Sequence, residues 1–322
     1  MTDIGRDPRR FWTRGRRSER VGYLVGAALL LSGLAHLVVQ VALGGPWLGP
    51  VSWRKPVTFG LSFGLTAISV TWATSFLRVG ARSRVALQSA FLAASVVEVT
   101  LISVQAWRRV PSHFNFETPF DTGVTATLAA GGLVLVVALA GFFIYSLRAQ
   151  PDVEPTLLLA LRLGFGSLMV ALATGAIMIA IGTASVRAGD PMSAYHVAGR
   201  FKPAHAVAMH GIAVLPGLAW WSRGGGMHPG RRRFLFGVAA AGYLGLVGCS
   251  FLLGPGWTWV AGGCCAAVLL AAGAPLAAAA IPGNRSAGLG QGEREHRGGA
   301  GPADRAGGDG HGPAAVDHVV DQ

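Results

Sequence analysis

Three ionisable side chains lie inside long apolar runs of this 322-residue chain. They are His36, Glu98 and His210, and Glu98 is the only one of the 15 acidic residues that lies deep in such a run. At a helical rise of about 1.5 Å per residue, each lies about 10–14 Å from the same edge of its run. Ionisable groups in membranes usually face one another or a water-filled cavity. The pattern predicts one shared polar site; the alternative is three groups satisfied separately by nearby backbone or hydroxyl groups.

The chain contains only two lysines, and each directly precedes a proline. Lys55 lies in WRKP and Lys202 in FKP, whereas every other basic residue of the 27 is an arginine. Proline is pre-organised for the first turn of a helix. Each lysine is therefore predicted to place a compact, titratable ammonium at the mouth of a helix. Interfacial anchoring and ligand binding are both open as the role of the pair.

A polar segment, QAWRRVPSHFNFETPFD (105–121), separates two apolar runs. Phe114, Phe116 and Phe120 alternate with its polar residues, so we expect it to tuck back onto the helix ends. Asp121 fits an N-cap for the following helix, with a ligand role as the alternative. The candidate ligand-binding residues of the whole chain are His36, Lys55, Glu98, Gln105, His113, Asn115, Asp121, Lys202, His205 and His210.

These residues must be positioned by membrane helices. A mean hydropathy of +0.48 and a charged content of 13% exclude an ordinary soluble domain, in which about 25% of residues are charged. Apolar runs of this length predict membrane-spanning helices at about 21–43, 57–77, 85–107, 122–147, 156–182, 203–221, 233–253 and 257–281. The predicted fold class is an all-α, polytopic transmembrane helix bundle of about eight spans. Its expected surroundings are the lipid bilayer.

The distribution of basic residues orients the bundle. With the N-terminus inside, 19 arginines fall on inner segments, and 7 basic residues fall on outer loops. This bias predicts that both termini are cytoplasmic. Residues 1–20 are predicted to form a basic arm, 21–281 the transmembrane domain, and 282–322 a disordered cytoplasmic tail. Nucleic acid is not an expected partner, because the arginines lie in the arm and short loops and not on one folded face.

A weak internal repeat accompanies this topology. Lys55 and Lys202 are 147 residues apart, and each opens a span, the second and the sixth, that enters from the outer side. The spacing is compatible with two parallel four-helix halves of the kind that some transporters use. Little further identity joins the halves, so independent origins remain the alternative.

The segments WRKP, EVTLISVQAWRRVPSHFN, TPFD and KPAHAVAMH resemble an uncharacterised family of bacterial, largely actinobacterial, multi-pass membrane proteins. The resemblance covers about residues 20–250, and the SHFN motif is its most specific part. It implies the helical membrane fold and a location in the bacterial plasma membrane. It implies no particular activity.

Several functions are compatible with these residues. The first is a permease-like or ligand-binding membrane protein with a cavity in the outer half under a lid made by the 105–121 segment. The second is a membrane redox or metal protein in which His36 and His210 ligate haem or a metal ion. The third is a membrane enzyme that uses Lys55, His113 and Asp121, although the chain has no Walker motif. A structural or partner-binding role is the fourth.

Overall fold

The computed structural model describes residues 15–47, 49, 51–190, 198–224, 227–251 and 257–278. Within these ranges the chain forms α-helices joined by short loops and two single 3-10 turns, with no strand. The helices are α1 (Arg17–Leu43), α2 (Arg54–Ser75), α3 (Ala81–Trp107), α4 (Pro119–Leu147), α5 (Pro155–Arg187), α6 (Lys202–Trp221), α7 (Pro229–Cys249) and α8 (Trp257–Ala278). Each lies where a span is predicted, and α1 begins inside the predicted 1–20 arm. The predicted tail at 282–322 lies outside the described residues.

Five helices, α1 to α5, are long and apolar enough to cross a membrane. The described part of the chain is therefore all-helical and of the multi-pass membrane type. The described parts of α6, α7 and α8 do not reach the same length and hydropathy, so the predicted count of eight spans is met only in part. The sequence gives the reason at α6 and α7: α6 contains Lys202, His205 and His210, and α7 opens with a run of three arginines.

Glycines bring α1 and α2 into backbone contact. A Cβ added at Gly60 would stand 2.6 Å from the Cα atom of Gly33, and one added at Gly64 would stand 2.8 Å from the carbonyl oxygen of Gly26. No side chain fits between backbones at this distance, so the stripe of small residues sets the separation of the helices. The GxxxG of α2 thus has a packing role, and it fixes where Lys55 lies relative to α1.

The second close helix pair is α5 with α6. Ser167 donates a hydrogen bond of 2.7 Å from its Oγ atom to the carbonyl oxygen of Ala208, and Gly164 lies against the backbone of Gly211. The core beside this pair is aromatic, because Phe91, Phe142, Phe165 and Phe236 are all almost completely buried. This packing holds the first turn of α6, which carries Lys202, at a defined position on α5.

Arginines close helix C-termini at the end of the bundle away from the lysines, which we call the opposite end. Arg84, only 3% exposed, donates to the carbonyl of Thr74 in the last turn of α2 at 2.8 Å and to that of Leu77, just after the helix, at 2.7 Å. Arg162 donates to the carbonyl of Ser146 at 3.0 Å, near the end of α4. A cation at a helix C-terminus is favourable because the last carbonyls are unpaired and carry partial negative charge.

Candidate functional site

The two lysines come together at one end of the bundle, which we call the lysine end. Lys55 lies in the first turn of α2 and Lys202 begins α6, and these two helices pack on each other. The charged groups that act on Lys55 include the cations Arg54 and Lys202, and Arg54 also acts on Lys202. Arg54, Lys55 and Lys202 therefore form one group of like charges, the lysine-end cluster, built from two helices.

His113 comes from the loop between α3 and α4 and lies beside this cluster. Its ring packs on Phe59 with centroids 6.0 Å apart, and its Nδ1 atom is 3.0 Å from the Oγ atom of Ser112. Burial, and then the positive charge of Lys55, lowers the pKa of His113 from 6.5 to about 3. The imidazole is therefore neutral at physiological pH and can donate or accept one hydrogen bond per ring nitrogen.

Only the first of the three alternating phenylalanines packs the loop onto a helix, because Phe116 and Phe120 are exposed. Phe114 has a φ of 60°, in the left-handed region. Its ring lies against Gly182 of α5, so close that a Cβ added at Gly182 would stand 2.2 Å from the Cζ atom of Phe114. Asn115 is 3% exposed, and its carbonyl accepts a hydrogen bond of 2.9 Å from Thr125. Its side-chain Nδ2 atom is buried with no hydrogen-bond partner among the described residues. Asn115 therefore has an unused donor beneath the loop.

Gln105 and Asp121, both predicted as ligand-binding residues, hydrogen-bond within the protein. One carboxylate oxygen of Asp121 accepts from Gln105 at 2.8 Å and from Arg108 at 2.5 Å, and the other accepts from Thr118 at 2.6 Å. The N-cap of α4 is Thr118, whose hydroxyl accepts from the backbone N–H of Asp121. This corrects the prediction that Asp121 is the cap. Asp121 is the third residue of the helix, where its side chain and that of Thr118 form a reciprocal capping pair, and its role is to fix the loop.

His205 is another predicted ligand that the structure places in a helix contact. Its Nδ1 atom is 2.8 Å from the carbonyl oxygen of Ala171 in α5 and 3.4 Å from the hydroxyl of Thr174. The imidazole thus ties the first turns of α6 to α5. Its position supports Lys202 indirectly by fixing the helix that carries it.

His36 is satisfied on both ring nitrogens. Its Nδ1 atom lies 2.8 Å from the carbonyl oxygen of Ser32, to which it must donate, and its Nε2 atom accepts from the indole N–H of Trp107 at 3.2 Å. Trp53 packs on Trp107 with ring centroids 4.8 Å apart. With Nδ1 protonated, the only lone pair of the ring is on Nε2, and the indole N–H of Trp107 engages it, which speaks against His36 as a haem or metal ligand.

Glu98 and His210 lie in different surroundings from His36. Glu98 is 5% exposed, with an oxygen 3.0 Å from where a Cβ of Gly131 in α4 would stand. No ion pair or hydrogen bond reaches its carboxylate from the described part of the chain. His210 is exposed on α6, and its Nδ1 atom is 2.6 Å from the carbonyl oxygen of Ala206.

These positions correct the prediction of one cavity shared by the three ionisable residues. A cavity of about 590 Å³ does adjoin His36, but residues of α1 and α3 line it, and neither Glu98 nor His210 is among them. α1 packs mainly on α2 and α3, whereas α6 packs mainly on α5. Matched depth on three helices was insufficient to predict contact, because depth says nothing about which way each helix face points. The described residues also contain no group of three His, Cys, Asp or Glu side chains placed to hold a metal ion.

Two residues of the site, Arg54 and Trp107, were not predicted from the sequence. Arg54 is the third cation of the lysine-end cluster, and its guanidinium donates to the carbonyl of Trp47 at 3.0 Å. Trp107 orients His36. The signal for Arg54 was present, since it precedes Lys55 in the WRKP motif. Trp107 carried no signal beyond its position at a span end.

Comparison of the chain with protein-family models, curated proteins and solved structures finds no significant match. The family resemblance drawn from the SHFN motif therefore stays a prediction, and function must be argued from the site.

Proposed function

We propose that the chain is a permease-like or ligand-binding protein of the bacterial plasma membrane, and that its ligand is a small anion. The observation that carries the proposal is the lysine-end cluster, in which Arg54, Lys55 and Lys202 act on one another as like charges. Like charges that act on one another raise the free energy of the folded protein, and a bound anion lowers it. Neutral His113 beside Lys55 adds hydrogen-bonding capacity without adding charge.

The choice of lysine at both positions supports a ligand and not only anchoring. An arginine anchors a helix end equally well, and this chain uses arginine at every other basic position. Lysine differs in having a compact ammonium with three rotatable donors, which suits a phosphate, sulfate or carboxylate oxygen as a point charge. Asn115 lies in the 105–121 loop that also carries His113. Its Nδ2 atom is buried without a hydrogen-bond partner among the described residues and is a further donor.

The arrangement around the two lysines also supports two related halves. Gly64 lies nine residues after Lys55, and Gly211 lies nine residues after Lys202. Each of these glycines is where its helix touches the preceding one, α1 and α5 respectively. A pair of equivalent helices that meet with their lysines at one end is the arrangement expected of a duplicated bundle with its binding site between the halves.

Thermal unfolding of the detergent-purified protein tests the anion site. Phosphate, sulfate or acetate is added at constant ionic strength, with chloride as the reference anion. A site ligand at a hundred times its Kd stabilises the fold by about 2.7 kcal/mol. We expect at least one anion to raise the melting temperature of the wild type and to lose this effect in Lys55→Gln and Lys202→Gln.

The matched control for charge removal is Arg148→Gln, at the opposite end, where Arg148 stacks on Tyr145. It should respond to anions as the wild type does. Equal stabilisation of wild type and both lysine variants would show that anions act non-specifically, and the proposal would fail. The variants Lys55→Arg and Lys202→Arg then separate a need for ammonium from a need for charge, because both should fold normally.

The orientation of the site is tested by labelling on whole cells. We propose eight spans with both termini cytoplasmic, which places the loop that carries Ser112 outside. In a background without the three native cysteines, Glu117→Cys, at an exposed position of the same loop as buried Ser112, should react with an impermeant thiol reagent, and Gly310→Cys should not. Labelling in the opposite pattern would move the lysine-end cluster to the cytoplasmic face.

Haem or metal binding is the alternative function, and the absorption spectrum of the purified protein tests it. A Soret band would favour that alternative over the anion site. In the described structure the Nε2 atom of His36, the ring nitrogen that carries the lone pair, is engaged by the indole N–H of Trp107.

A further inference from the structure

A groove runs between α1 and α3 and ends at the polar surface of the lysine end. It has a volume of about 590 Å³ and extends along α1 from Val25 to His36 and along α3 from Val96 to Arg108, the residue just after that helix. At about 1.5 Å per residue, the α1 side is about 16 Å long and the α3 side about 18 Å. That length matches the acyl-chain depth of one leaflet, half of a hydrocarbon core of about 30 Å.

The two ends of the groove differ in chemistry. Its deep half is made by valine, alanine and leucine side chains, while His36, Trp107 and Arg108 stand at its outer end. The hydroxyl of Ser103 donates to the carbonyl of Val99 within its own helix at 2.8 Å, so the middle presents little unsatisfied polarity. An apolar trough capped by polar groups fits an amphiphile that lies along the helices with its polar head at the surface.

The groove results from how α1 and α3 are tied together. Beyond its deep end, Gln88 of α3 donates to the carbonyl of Ser18 in α1 at 3.1 Å. At the other end, the indole of Trp107 donates to His36. Between these two hydrogen bonds the helices stand apart. Because both ends are fixed, the groove is a feature of the folded bundle and not a chance gap between loose helices.

The charge at the outer end is positive. Arg108 is paired with Asp121. Arg109, the next residue, is exposed, and its side chain forms no hydrogen bond or ion pair with the residues that the structure describes. Arg109 also adopts a φ of 57°, at the position after α3 where helices usually place glycine. Arg109 directly follows Arg108, which lines the outer end of the groove, so it supplies a cation without a described partner next to that end, and such a cation attracts an anionic head group.

We propose that this groove binds one chain of an anionic membrane phospholipid, with the phosphate at Arg108 and Arg109 and the acyl chain along α1 and α3. The lipid site is separate from the lysine-end cluster, which involves α2 and α6. Its occupant is a lipid and not a soluble anion, because polar groups stand at the outer end and the rest of the groove offers apolar surface that only an acyl chain can cover. The inference therefore stands or falls independently of the small-anion proposal.

Native mass spectrometry of the detergent-purified protein tests this site. Phosphatidylglycerol and phosphatidylcholine with identical acyl chains are added in equal amounts, and the lipid retained per protein is measured. We expect the wild type to retain phosphatidylglycerol about fivefold better, the effect of roughly one interfacial cation. Arg109→Gly should reduce this ratio to about one and should fold at least as stably as the wild type, since glycine removes the strain at positive φ.

A second pair of variants tests the acyl groove itself. Ser103→Phe fills the trough and should reduce retention of both lipids. Val134→Phe, on an exposed face of α4, is its matched control and should retain both as the wild type does. Equal retention of the two lipids by the wild type, an unchanged ratio in Arg109→Gly, or equal loss in both phenylalanine variants would each overturn the proposal, the last by showing only a non-specific lipid shell.

Discussion

Replacing Gly60 with alanine is the sharpest test of how the bundle is assembled. The added Cβ would stand 2.6 Å from both the Cα and the N atoms of Gly33 and 3.0 Å from the carbonyl oxygen of Leu29. All three are backbone atoms, so no rotamer change can relieve the overlap. Ordinary contact begins at 3.4 Å, and α1 must therefore move away from α2 by about 1 Å.

The expected cost follows from that displacement. Inserting a methyl group into a packed interior destabilises a protein by about 1–3 kcal/mol, and an obstacle made of backbone belongs at the upper end of this range. A gap of 0.5–1 Å also forfeits about a quarter to a half of the attraction in each neighbouring contact. The close approach of Gly26 to Gly64, one turn along the same interface, would be loosened by the same movement. We expect a loss of about 3 kcal/mol.

Thermal unfolding in detergent, followed by the monodisperse fraction on size exclusion, measures the effect. A loss of about 3 kcal/mol corresponds to a fall of roughly 5–10 °C in the melting temperature. Gly132→Ala in α4 is the matched control, because nothing lies within 4 Å of the added Cβ. That change should be neutral or stabilising by up to about 1 kcal/mol, the ordinary helix preference for alanine. Equal melting temperatures for the two variants would refute the backbone-contact argument.

Three further predictions concern buried polar groups. Burial and Lys55 lower the pKa of His113 to about 3, so between pH 6.5 and 3 the unfolded chain binds a proton that the folded chain does not. Stability is therefore full above pH 6.5 and is lost as the pH falls through this window, by up to about 1.4 kcal/mol per pH unit. His113→Gln should flatten the plot of melting temperature against pH on its acid side, and identical slopes for the variant and the wild type would contradict this. In a urea titration, Arg84→Gln should lower the free energy of unfolding by about 3 kcal/mol, because one carbonyl in the last turn of α2 and one just after it lose a charged donor. Exposed Arg82→Gln should be neutral in the same titration, and equal losses in the two variants would contradict the capping role of Arg84. Glu98→Gln should melt no lower than the wild type, since it removes an ionisable group that costs about 2.5–3.5 kcal/mol at a helix centre when charged; a clear fall would reveal a partner for the carboxylate.

Element positions and helical class could be predicted from the sequence because they depend on local properties. Apolar run length sets where a helix can cross lipid, and the observed helices lie at the predicted places. The lysine pair was visible for the same reason: residue type, a following proline and a place at a helix start are all local. The alternation of phenylalanines predicted that the 105–121 loop packs down, and this holds for Phe114, which lies on Gly182, but not for Phe116 and Phe120, which are exposed.

Contacts between helices could not be predicted in this way. His36, Glu98 and His210 share a depth, yet they lie in separate surroundings, since depth depends on sequence distance and direction depends on how each helix is rotated by its neighbours. That rotation is set by packing, such as the glycine contacts between α1 and α2. Asp121 shows the same limit: its carboxylate was correctly placed at a helix start, but its partners Gln105 and Arg108 belong to the end of α3 and the turn after it.

The amino-acid sequence by itself determined that this protein is a helical membrane protein with two distinctive lysines at helix mouths, because hydropathy and helix-start chemistry act over a few residues. Only the tertiary structure decided which polar groups become neighbours. It brought Lys55 and Lys202 together with Arg54, used Gln105, Asp121 and His205 as internal braces, and left Glu98 and His210 apart. The physical reason is that a side chain's partners are chosen by the packing of whole helices, a sum of many weak contacts over distant segments that no short stretch of sequence contains.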